Sequence, residues 1–291
     1  MLRSNEGENM SNKYCMFPGQ GSQKTGMGAE LFDQYKDYVN EANQILGFDI
    51  KDMCLSNSDN RLDNTQFTQP ALYLVSAMSF LNKKKEGEKY CASLGHSLGE
   101  YTALFAAGVF DLLTGLKMVK KRGEIMAKAE NGAMAAVIGL EDIKIKEILE
   151  SSETGKRIDV ANYNSPGQVV ISGLREDITA CENIFKTSGA KMYIPLKVSG
   201  AFHSRYMRPS ADEFELFIKN FSIQSPAFPV YSNVTGLRHE KNSILENLVL
   251  QMTSPVRWVS IIQNIKTQDS AAEFVEIGPG NVLTGLVKRI K

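Results

Sequence analysis

Short apolar runs alternate with longer segments of helical periodicity along most of this chain. Apolar runs at 14–17 and 90–94 are short enough to be buried strands. Helical spacing of apolar residues follows at 29–45, 71–81 and 112–129. Further helices are predicted at 209–220, 244–252, 254–267 and 283–290, with strands at 229–234 and 274–277. Because short strands alternate with helices, the pattern predicts an α/β fold with a mostly parallel sheet.

The helix predicted at 71–81 follows a polar loop at 56–66. Pro70 immediately precedes the helical periodicity. Proline is favoured in the first turn of a helix, where its missing N–H costs nothing. We therefore expect Pro70 to mark the start of this helix.

A change of pattern from Gly132 onward predicts a second, smaller unit. Strands are predicted at 134–139, 158–164, 168–172 and 190–196, with helices at 143–151 and 175–188. This β-α-β-β-α-β order is that of a ferredoxin-like unit. Residues 132–196 are thus predicted to form a ferredoxin-like small subdomain. It is inserted into a larger subdomain formed by residues 13–131 and 197–291.

The first residues of the chain carry no sign of a folded element. Residues 1–12 are polar and lack the apolar core of a signal peptide. We expect a disordered N-terminal tail. Both Met1 and Met10 remain open as the natural start.

Composition and charge narrow the classes of partner. The 291 residues are 43% hydrophobic and 23% charged, with 33 Lys and Arg against 33 Asp and Glu. This balance argues against binding to nucleic acid or to an anionic membrane surface. The four cysteines are scattered, which argues against a zinc site and favours reduced thiols in the cytoplasm. No apolar run is long enough to span a bilayer.

The central motif is Gly-x-Ser-x-Gly at residues 95–99, between a predicted strand and an apolar helix. Glycines at these spacings let strand and helix approach closely, as in a nucleophile elbow. The turn exposes the hydroxyl of Ser97 at a helix N-terminus, where negative charge is favoured. The motif predicts that Ser97 is a nucleophile.

A serine nucleophile needs a base, and the chain has three histidines. His96 is adjacent to Ser97, and neighbours on a turn diverge, so we expect it in a pocket wall or in the core. His239 lies in a charged loop and is predicted to be solvated. His203 remains as the predicted base, since a neutral imidazole accepts protons at cellular pH.

A glycine-rich loop at 17–23 follows the first predicted strand. Such loops reach the edge of a parallel sheet where α/β enzymes place their sites. Gln20 lies between Gly19 and Gly21. Two interpretations stay open from the residues alone: a simple tight turn, or backbone held close to a reacting atom.

Five segments together resemble the malonyl-CoA:acyl carrier protein transacylases. They are residues 17–23, 95–100, 122, 200–204 and 277–280, in the order of that family. The resemblance extends from about Lys13 to Ile290. Segments 163–166 and 199–207 are most similar to the discrete, trans-acting acyltransferases of polyketide synthases. For the fold, the resemblance implies an α/β-hydrolase-like core.

The resemblance implies a mechanism and a set of catalytic groups. Ser97 attacks a thioester and becomes an acyl-serine ester, with His203 as base and then as acid. The backbone N–H groups of Gln20 and Leu98 form the oxyanion hole. A backbone carbonyl, expected at Gln251, orients His203 where a triad would use a carboxylate.

The resemblance also assigns residues to the acyl pocket. On its own, Arg122 is one charge in a basic helix turn. By resemblance it pairs with the malonyl carboxylate through its guanidinium fork. Phe202 matches the malonyl-type pattern, and His96, Gln69 and Asn162 are expected to line the pocket.

The implied substrates are malonyl-CoA and the phosphopantetheine thiol of an acyl carrier protein, without metal or other cofactor. Carrier proteins are acidic, so a basic rim is expected near the cleft, with Lys191, Lys197, Arg205 and Arg208 as candidates. The absence of a heptad seam favours a monomer.

Three alternatives stay open. A thioester hydrolase that edits stalled acyl chains would need Ser97 and His203 but not Arg122. A non-catalytic scaffold that docks carriers would need none of them. A housekeeping transacylase of fatty-acid synthesis would use the same chemistry as a polyketide enzyme and differ only in its partners.

Overall fold

The computed structural model describes residues 12–291. The strands are β1 (Lys13–Phe17), β2 (Ala92–Gly95), β3 (Gly132–Ile138), β4 (Asp159–Ser165), β5 (Gln168–Leu174), β6 (Met192–Pro195) and β7 (Glu273–Glu276). The helices are α1 (Lys36–Leu46), α2 (Ile50–Leu55), α3 (Thr65–Lys85), α4 (Gly99–Ala106), α5 (Leu112–Ala127), α6 (Asp142–Glu150), α7 (Arg175–Thr187), α8 (Arg208–Ile218), α9 (Ile244–Leu250), α10 (Trp258–Gln268) and α11 (Val282–Val287).

The first sheet is parallel, in the order β2-β1-β7. Side chains of β1 alternate between two cores, as strand geometry requires. Cys15 and Phe17 pack with helices α3, α4 and α5, whereas Tyr14 and Met16 pack with α10 and α11. The sheet is therefore covered by helices on both faces, which confirms the predicted α/β class.

The second sheet is antiparallel, in the order β4-β5-β3-β6. Ala135 and Val137 of β3 face α6 and α7, with which they share a core. Met134 and Ala136 point the other way and join the core that contains Phe17. The two sheets are thus separate in hydrogen bonding but joined through apolar packing.

The N-terminal tail predicted at 1–12 lies outside the described residues, except for Asn12. The backbone oxygen of Asn12 accepts a hydrogen bond from the N–H of Glu273 at 2.9 Å. This bond extends the pairing between β1 and β7 by one residue.

The helix predicted at 29–45 is wrong in its first part. Residues 25–35 form turns, and α1 begins only at Lys36. Gly26 and Gly28 adopt positive φ values of 87° and 75°. These values belong to left-handed turns. The apolar spacing came from Leu31 and Phe32, which pack into the core from consecutive turns.

The prediction that Pro70 begins a helix is also wrong, because α3 begins five residues earlier at Thr65. The side chain of Asn64 caps this helix by accepting from the N–H of Gln66 at 3.0 Å. Pro70 lies within the helix, where its missing N–H leaves the carbonyl of Gln66 without a helical partner. The N-cap, rather than the proline, sets the start.

The segment predicted as a strand at 229–234 pairs only through isolated bridges. Val230 forms a parallel bridge with Ser93 of β2, and Tyr231 an antiparallel bridge with Arg238. The chain then turns back, as the N–H of Gly236 donates to the carbonyl of Ser232 at 2.9 Å. The turn ends the pairing before a regular strand can form.

Two glycines fix how β1, β2 and α4 approach one another. A Cβ on Gly95 would lie 2.0 Å from the carbonyl carbon of Gly99. A Cβ on Gly99 would lie 2.0 Å from the carbonyl oxygen of Phe17. Both contacts are with backbone, which cannot move aside. Between the two glycines, Ser97 adopts a φ of 51°.

We expect Gly99→Ala to destabilise the protein by about 1–3 kcal/mol, because overpacking displaces backbone. The matched control is Gly285→Ala in α11, where a Cβ meets nothing within 4 Å. That change should be neutral or stabilising by up to about 1 kcal/mol. Urea unfolding followed by the fluorescence of Trp258, the single tryptophan, measures both. Equal stabilities would contradict the steric argument.

Candidate active site

Ser97 lies at the turn between β2 and α4, held by Asn233. The N–H of Ser97 donates to Oδ1 of Asn233 at 2.7 Å. Nδ2 of Asn233 donates to the carbonyl of Gly95 at 2.7 Å. One amide side chain therefore braces both sides of the strained turn. No sequence motif indicates this role for Asn233, which is 136 residues from Ser97 along the chain.

The Oγ of Ser97 lies 2.8 Å from Nε2 of His203. On the other side of the ring, Nδ1 lies 2.7 Å from the backbone oxygen of Gln251. A carbonyl only accepts, so Nδ1 carries the proton and Nε2 is free to accept from the serine hydroxyl. This is the arrangement of a serine with its general base, oriented by a backbone carbonyl.

His203 is buried, with 4% of its surface exposed. Burial lowers the pKa of His203 to about 3, and the nearby positive charge of Arg122 adds to the effect. The imidazole is therefore neutral at cellular pH. A base must be neutral to accept a proton, so the environment keeps His203 in its accepting form.

Arg122 extends from α5 into the same site and is 1% exposed. It donates to Oε1 of Gln69 at 2.7 Å, to Oε1 of Gln251 at 2.9 Å and to Oγ of Ser97 at 3.2 Å. All three acceptors are uncharged. Its Nε is buried without an acceptor among residues 12–291. A buried guanidinium with these contacts can accept an anion beside Ser97.

Desolvation on burial lowers the pKa of the Arg122 guanidinium, and the negative charge of Glu100 opposes this effect. Isolated buried charges are strongly unfavourable. The site therefore gains from a carboxylate that binds next to Arg122.

A cavity of about 110 Å³ joins these groups. The predicted pocket residues His96, Gln69, Asn162 and Phe202 lie in its wall, together with Ser97, Leu98, Gln20, Arg122 and His203. The remaining lining residues are the apolar Met126, Met134, Leu196 and Val198. Met134 comes from the antiparallel sheet, so the cavity lies where the two sheets meet.

Gln20 and Leu98 lie beside Ser97, as an oxyanion hole requires. A Cβ on Gly19 would lie 2.4 Å from the carbonyl oxygen of His96, so the first loop presses against the elbow. The side chain of Gln20 donates to Oγ1 of Thr65 at 3.1 Å, which ties the loop to α3. The backbone N–H groups of Gln20 and Leu98 donate to no acceptor within the described chain.

His96 lines the cavity but makes its hydrogen bond elsewhere. Its Nε2 lies 2.8 Å from Oδ1 of Asn164, and its ring packs against Trp258 at 5.7 Å. Burial lowers the pKa of His96, which favours the neutral ring. The side chain contributes a wall and a link to β4.

The prediction that His239 is solvated is wrong. His239 is 8% exposed, and its Nε2 lies 2.6 Å from Oε1 of Glu100. The loop folds inward because the N–H of His239 donates to the carbonyl of Val230 at 2.7 Å. Glu100, one acidic residue in an otherwise apolar helix, was the available signal for this buried pair.

The four candidates for a basic rim have different environments. Arg205 pairs with Asp159 through Nε at 2.9 and 3.0 Å, and Arg208 approaches Asp212 at 3.8 Å. Lys191 and Lys197 are exposed. A separate groove of about 630 Å³ reaches His203, and its charged lining residues are the basic Lys146, Lys156 and Arg205 and the acidic Glu150 and Asp159.

Within residues 12–291, the side chains of His, Cys, Asp and Glu form no group of three or more that could hold a metal ion. In the same part of the chain, each helix is too short or too polar to cross a membrane.

The chain belongs to the acyl transferase domain family, whose model matches residues 14–290. It is 48% identical to the polyketide biosynthesis malonyl CoA-acyl carrier protein transacylase BaeC of Bacillus velezensis, over 95% of this chain and 96% of that protein. It is also 48% identical to the polyketide biosynthesis protein ThaF of Burkholderia thailandensis, of which it spans only 24%.

Solved structures of malonyl transacylases have the same fold as this chain. A malonyl CoA-acyl carrier protein transacylase from Burkholderia pseudomallei superposes with a TM-score of 0.92 at 42% identity, covering 96% of this chain and 97% of that one. A second match is the structure of a malonyl-transacylase in complex with its type II polyketide synthase acyl-carrier protein. The TM-score is 0.90 at 36% identity, and the match covers 96% of this chain and 93% of that one.

The lowered pKa of His203 predicts how the free protein responds to acid. Labelling of Ser97 by a sulfonyl fluoride should keep its rate as the pH falls through about 6.5, the ordinary histidine value. The rate should decline only towards pH about 3, because a lowered pKa delays protonation of the base. Mass spectrometry of the adduct measures the rate. Circular dichroism at each pH identifies any loss due to unfolding, and a midpoint near 6.5 would contradict the prediction.

Proposed function

We propose that this protein is a malonyl-CoA:acyl carrier protein transacylase that acts in trans for a polyketide synthase. The observation that carries the proposal is Arg122, a buried guanidinium whose hydrogen-bond acceptors are all uncharged, 3.2 Å from the Oγ of Ser97. A hydrolase of simple acyl groups has no use for such a group. A malonyl group carries a carboxylate that can pair with the guanidinium of Arg122.

In the first half-reaction, Oγ of Ser97 attacks the malonyl thioester carbonyl while Nε2 of His203 takes the hydroxyl proton. The backbone N–H groups of Gln20 and Leu98 stabilise the oxyanion, each such donor contributing about 3–4 kcal/mol. His203 then gives the proton to the departing thiolate of coenzyme A. A malonyl-serine ester remains.

The second half-reaction runs the same steps in reverse with a different thiol. His203 takes the proton from the phosphopantetheine thiol of the carrier, and the thiolate attacks the ester carbonyl. Collapse of the oxyanion returns the proton from His203 to Ser97. Since a thioester is exchanged for a thioester, the net reaction is nearly balanced, and the proposal includes no metal or other cofactor.

The carrier partner is supported by two observations. A related malonyl-transacylase has been solved in complex with a polyketide synthase acyl-carrier protein. In this chain, the charged lining of the groove that reaches His203 has three basic residues, Lys146, Lys156 and Arg205, against two acidic ones, Glu150 and Asp159, and this balance favours an acidic carrier. We place the phosphopantetheine arm in this groove. We propose Lys191, Lys197 and Arg208 as further residues of the rim that contact the carrier.

The polyketide assignment is supported by the higher identity to BaeC, at 48%, than to the Burkholderia pseudomallei transacylase, at 42%. BaeC is also similar in length, since the match covers 96% of it. A housekeeping role in fatty-acid synthesis would use the same site and remains the second candidate.

The proposal extends to organisation and location. The strand order β4-β5-β3-β6 with β-α-β-β-α-β connections supports a ferredoxin-like small subdomain at 132–196. The strand-turn-helix at Ser97 supports an α/β-hydrolase-like subdomain formed by 13–131 and 197–291. We propose a cytoplasmic monomer without nucleic-acid or membrane partners.

Intact mass after brief mixing with malonyl-CoA tests the function. We expect the wild type to gain one malonyl group and to transfer it to added holo-carrier protein. Ser97→Ala should gain none. The serine ester forms only if Oγ is the nucleophile. Loss of the adduct to water faster than to carrier would instead support the editing hydrolase.

Arg122→Ala should reduce the preference for malonyl-CoA over acetyl-CoA about tenfold to a hundredfold, since charge-assisted hydrogen bonds contribute about 1.5–3 kcal/mol. The matched control is Lys120→Ala, which removes a half-exposed cation two residues away on the same helix. That variant should keep the wild-type preference. Loading rates with both thioesters measure the ratio, and an unchanged ratio in Arg122→Ala would reject the assigned role.

A further inference from the structure

Glu100 is fully buried in the first turn of α4, close to the site but without contact to Ser97 Oγ. Its Oε1 accepts from Nε2 of His239 at 2.6 Å and from the N–H of Asn233 at 3.3 Å. Its Oε2 accepts from Nε2 of Gln251. Both carboxylate oxygens thus receive N–H donors, and this set of contacts suits an ionised carboxylate.

Gln251 connects Glu100 with the reacting groups. Its side-chain nitrogen, held by Glu100, also donates to the backbone oxygen of Ser97 at 3.0 Å. Its side-chain oxygen accepts from Arg122 at 2.9 Å, and its backbone oxygen accepts from Nδ1 of His203 at 2.7 Å. A single glutamine therefore contacts the acyl-binding cation, the base and the backbone of the nucleophile.

His239 holds the other side of the carboxylate. Nδ2 of Asn247 approaches its Nδ1 at 3.3 Å, which assigns Nδ1 as acceptor and places the proton on Nε2. The imidazole thus fixes Glu100 through the contact of its Nε2 with Oε1. Glu100 faces Arg122 across the amide of Gln251, and its negative charge acts on the guanidinium.

We propose that Glu100, fixed by His239, is a positioning residue that sets the side-chain amide of Gln251 and thereby aligns Arg122. It also balances the charge of Arg122 without touching it. A carboxylate in direct contact with the guanidinium would compete with the malonyl carboxylate for the same donors. The amide of Gln251 separates the two charges and leaves the guanidinium available. This inference rests on the proposed malonyl transfer.

Glu100→Gln tests the inference with almost no change in volume. The new NH2 group must face either Nε2 of His239 or Nε2 of Gln251, each of which already donates to this position. When the Gln251 amide rotates to relieve this conflict, its NH2 group faces Arg122. We expect malonyl loading to fall at least about tenfold and acetyl loading by at most about threefold. Acetyl loading falls less because an acetyl group does not need Arg122.

A second pair of variants keeps Glu100 in place. His239→Leu removes the donor to Oε1, and we expect the malonyl-to-acetyl ratio of loading rates to fall at least about threefold. His239→Gln is the conservative partner, because its amide nitrogen can donate to Oε1 as the imidazole does. The malonyl-to-acetyl ratio of loading rates should therefore be higher in His239→Gln than in His239→Leu.

The readout is the ratio of the two loading rates in one preparation, measured by intact mass. A purely structural role lowers the amount of folded protein and leaves this ratio unchanged. Equal losses for malonyl and acetyl in Glu100→Gln, or equal ratios in His239→Leu and His239→Gln, would overturn the inference. If the wild type fails to load malonyl at all, the proposed function fails, which is a different outcome.

Discussion

The close approach of three backbone segments at the elbow is the constraint on which the site depends. Gly99 packs against the carbonyl of Phe17, and Gly95 packs against Gly99. No side chain fits at either position, so β1, β2 and α4 are held at a fixed spacing. This spacing places the loop after β1, with Gln20, beside Ser97 at the end of β2. The strain at Ser97 is held by Asn233, which hydrogen-bonds to both sides of the turn.

A buried cation is the second determinant of the site. Arg122 is buried among uncharged polar acceptors, and the negative charge of Glu100 is one amide away. The charge of Glu100 stabilises the guanidinium at a distance, through the electrostatic attraction between the two groups. It also keeps the guanidinium fork available for a substrate carboxylate. In the proposed function, selectivity for an acidic acyl group follows from the unfavourable free energy of a buried guanidinium that has no anionic partner in contact.

The sequence predicted the parts of this molecule that depend on local chemistry. The elbow and the order of strands and helices could be recognised because glycine spacing and apolar periodicity are local signals. The pocket residues Arg122, Gln69 and Asn162 and the carbonyl of Gln251 were expected only from the resemblance to a known family. The helix at 29–45 failed because Leu31 and Phe32 pack into the core from turns instead of a helix. His239 was misjudged because its neighbours along the chain are charged, whereas its partner, Glu100, is distant in sequence. Burial created by long-range contacts leaves no periodic pattern.

The pKa of His203 links substrate recognition to the chemistry of the proposed transfer. Burial lowers this pKa most, and the positive charge of Arg122 is the next cause. A malonyl carboxylate bound to Arg122 offsets that charge, so the basicity of His203 rises when the correct acyl group is in place. An acetyl group brings no such compensation and leaves His203 the weaker base. The same guanidinium thus favours malonyl groups in binding and in the proton transfer that follows.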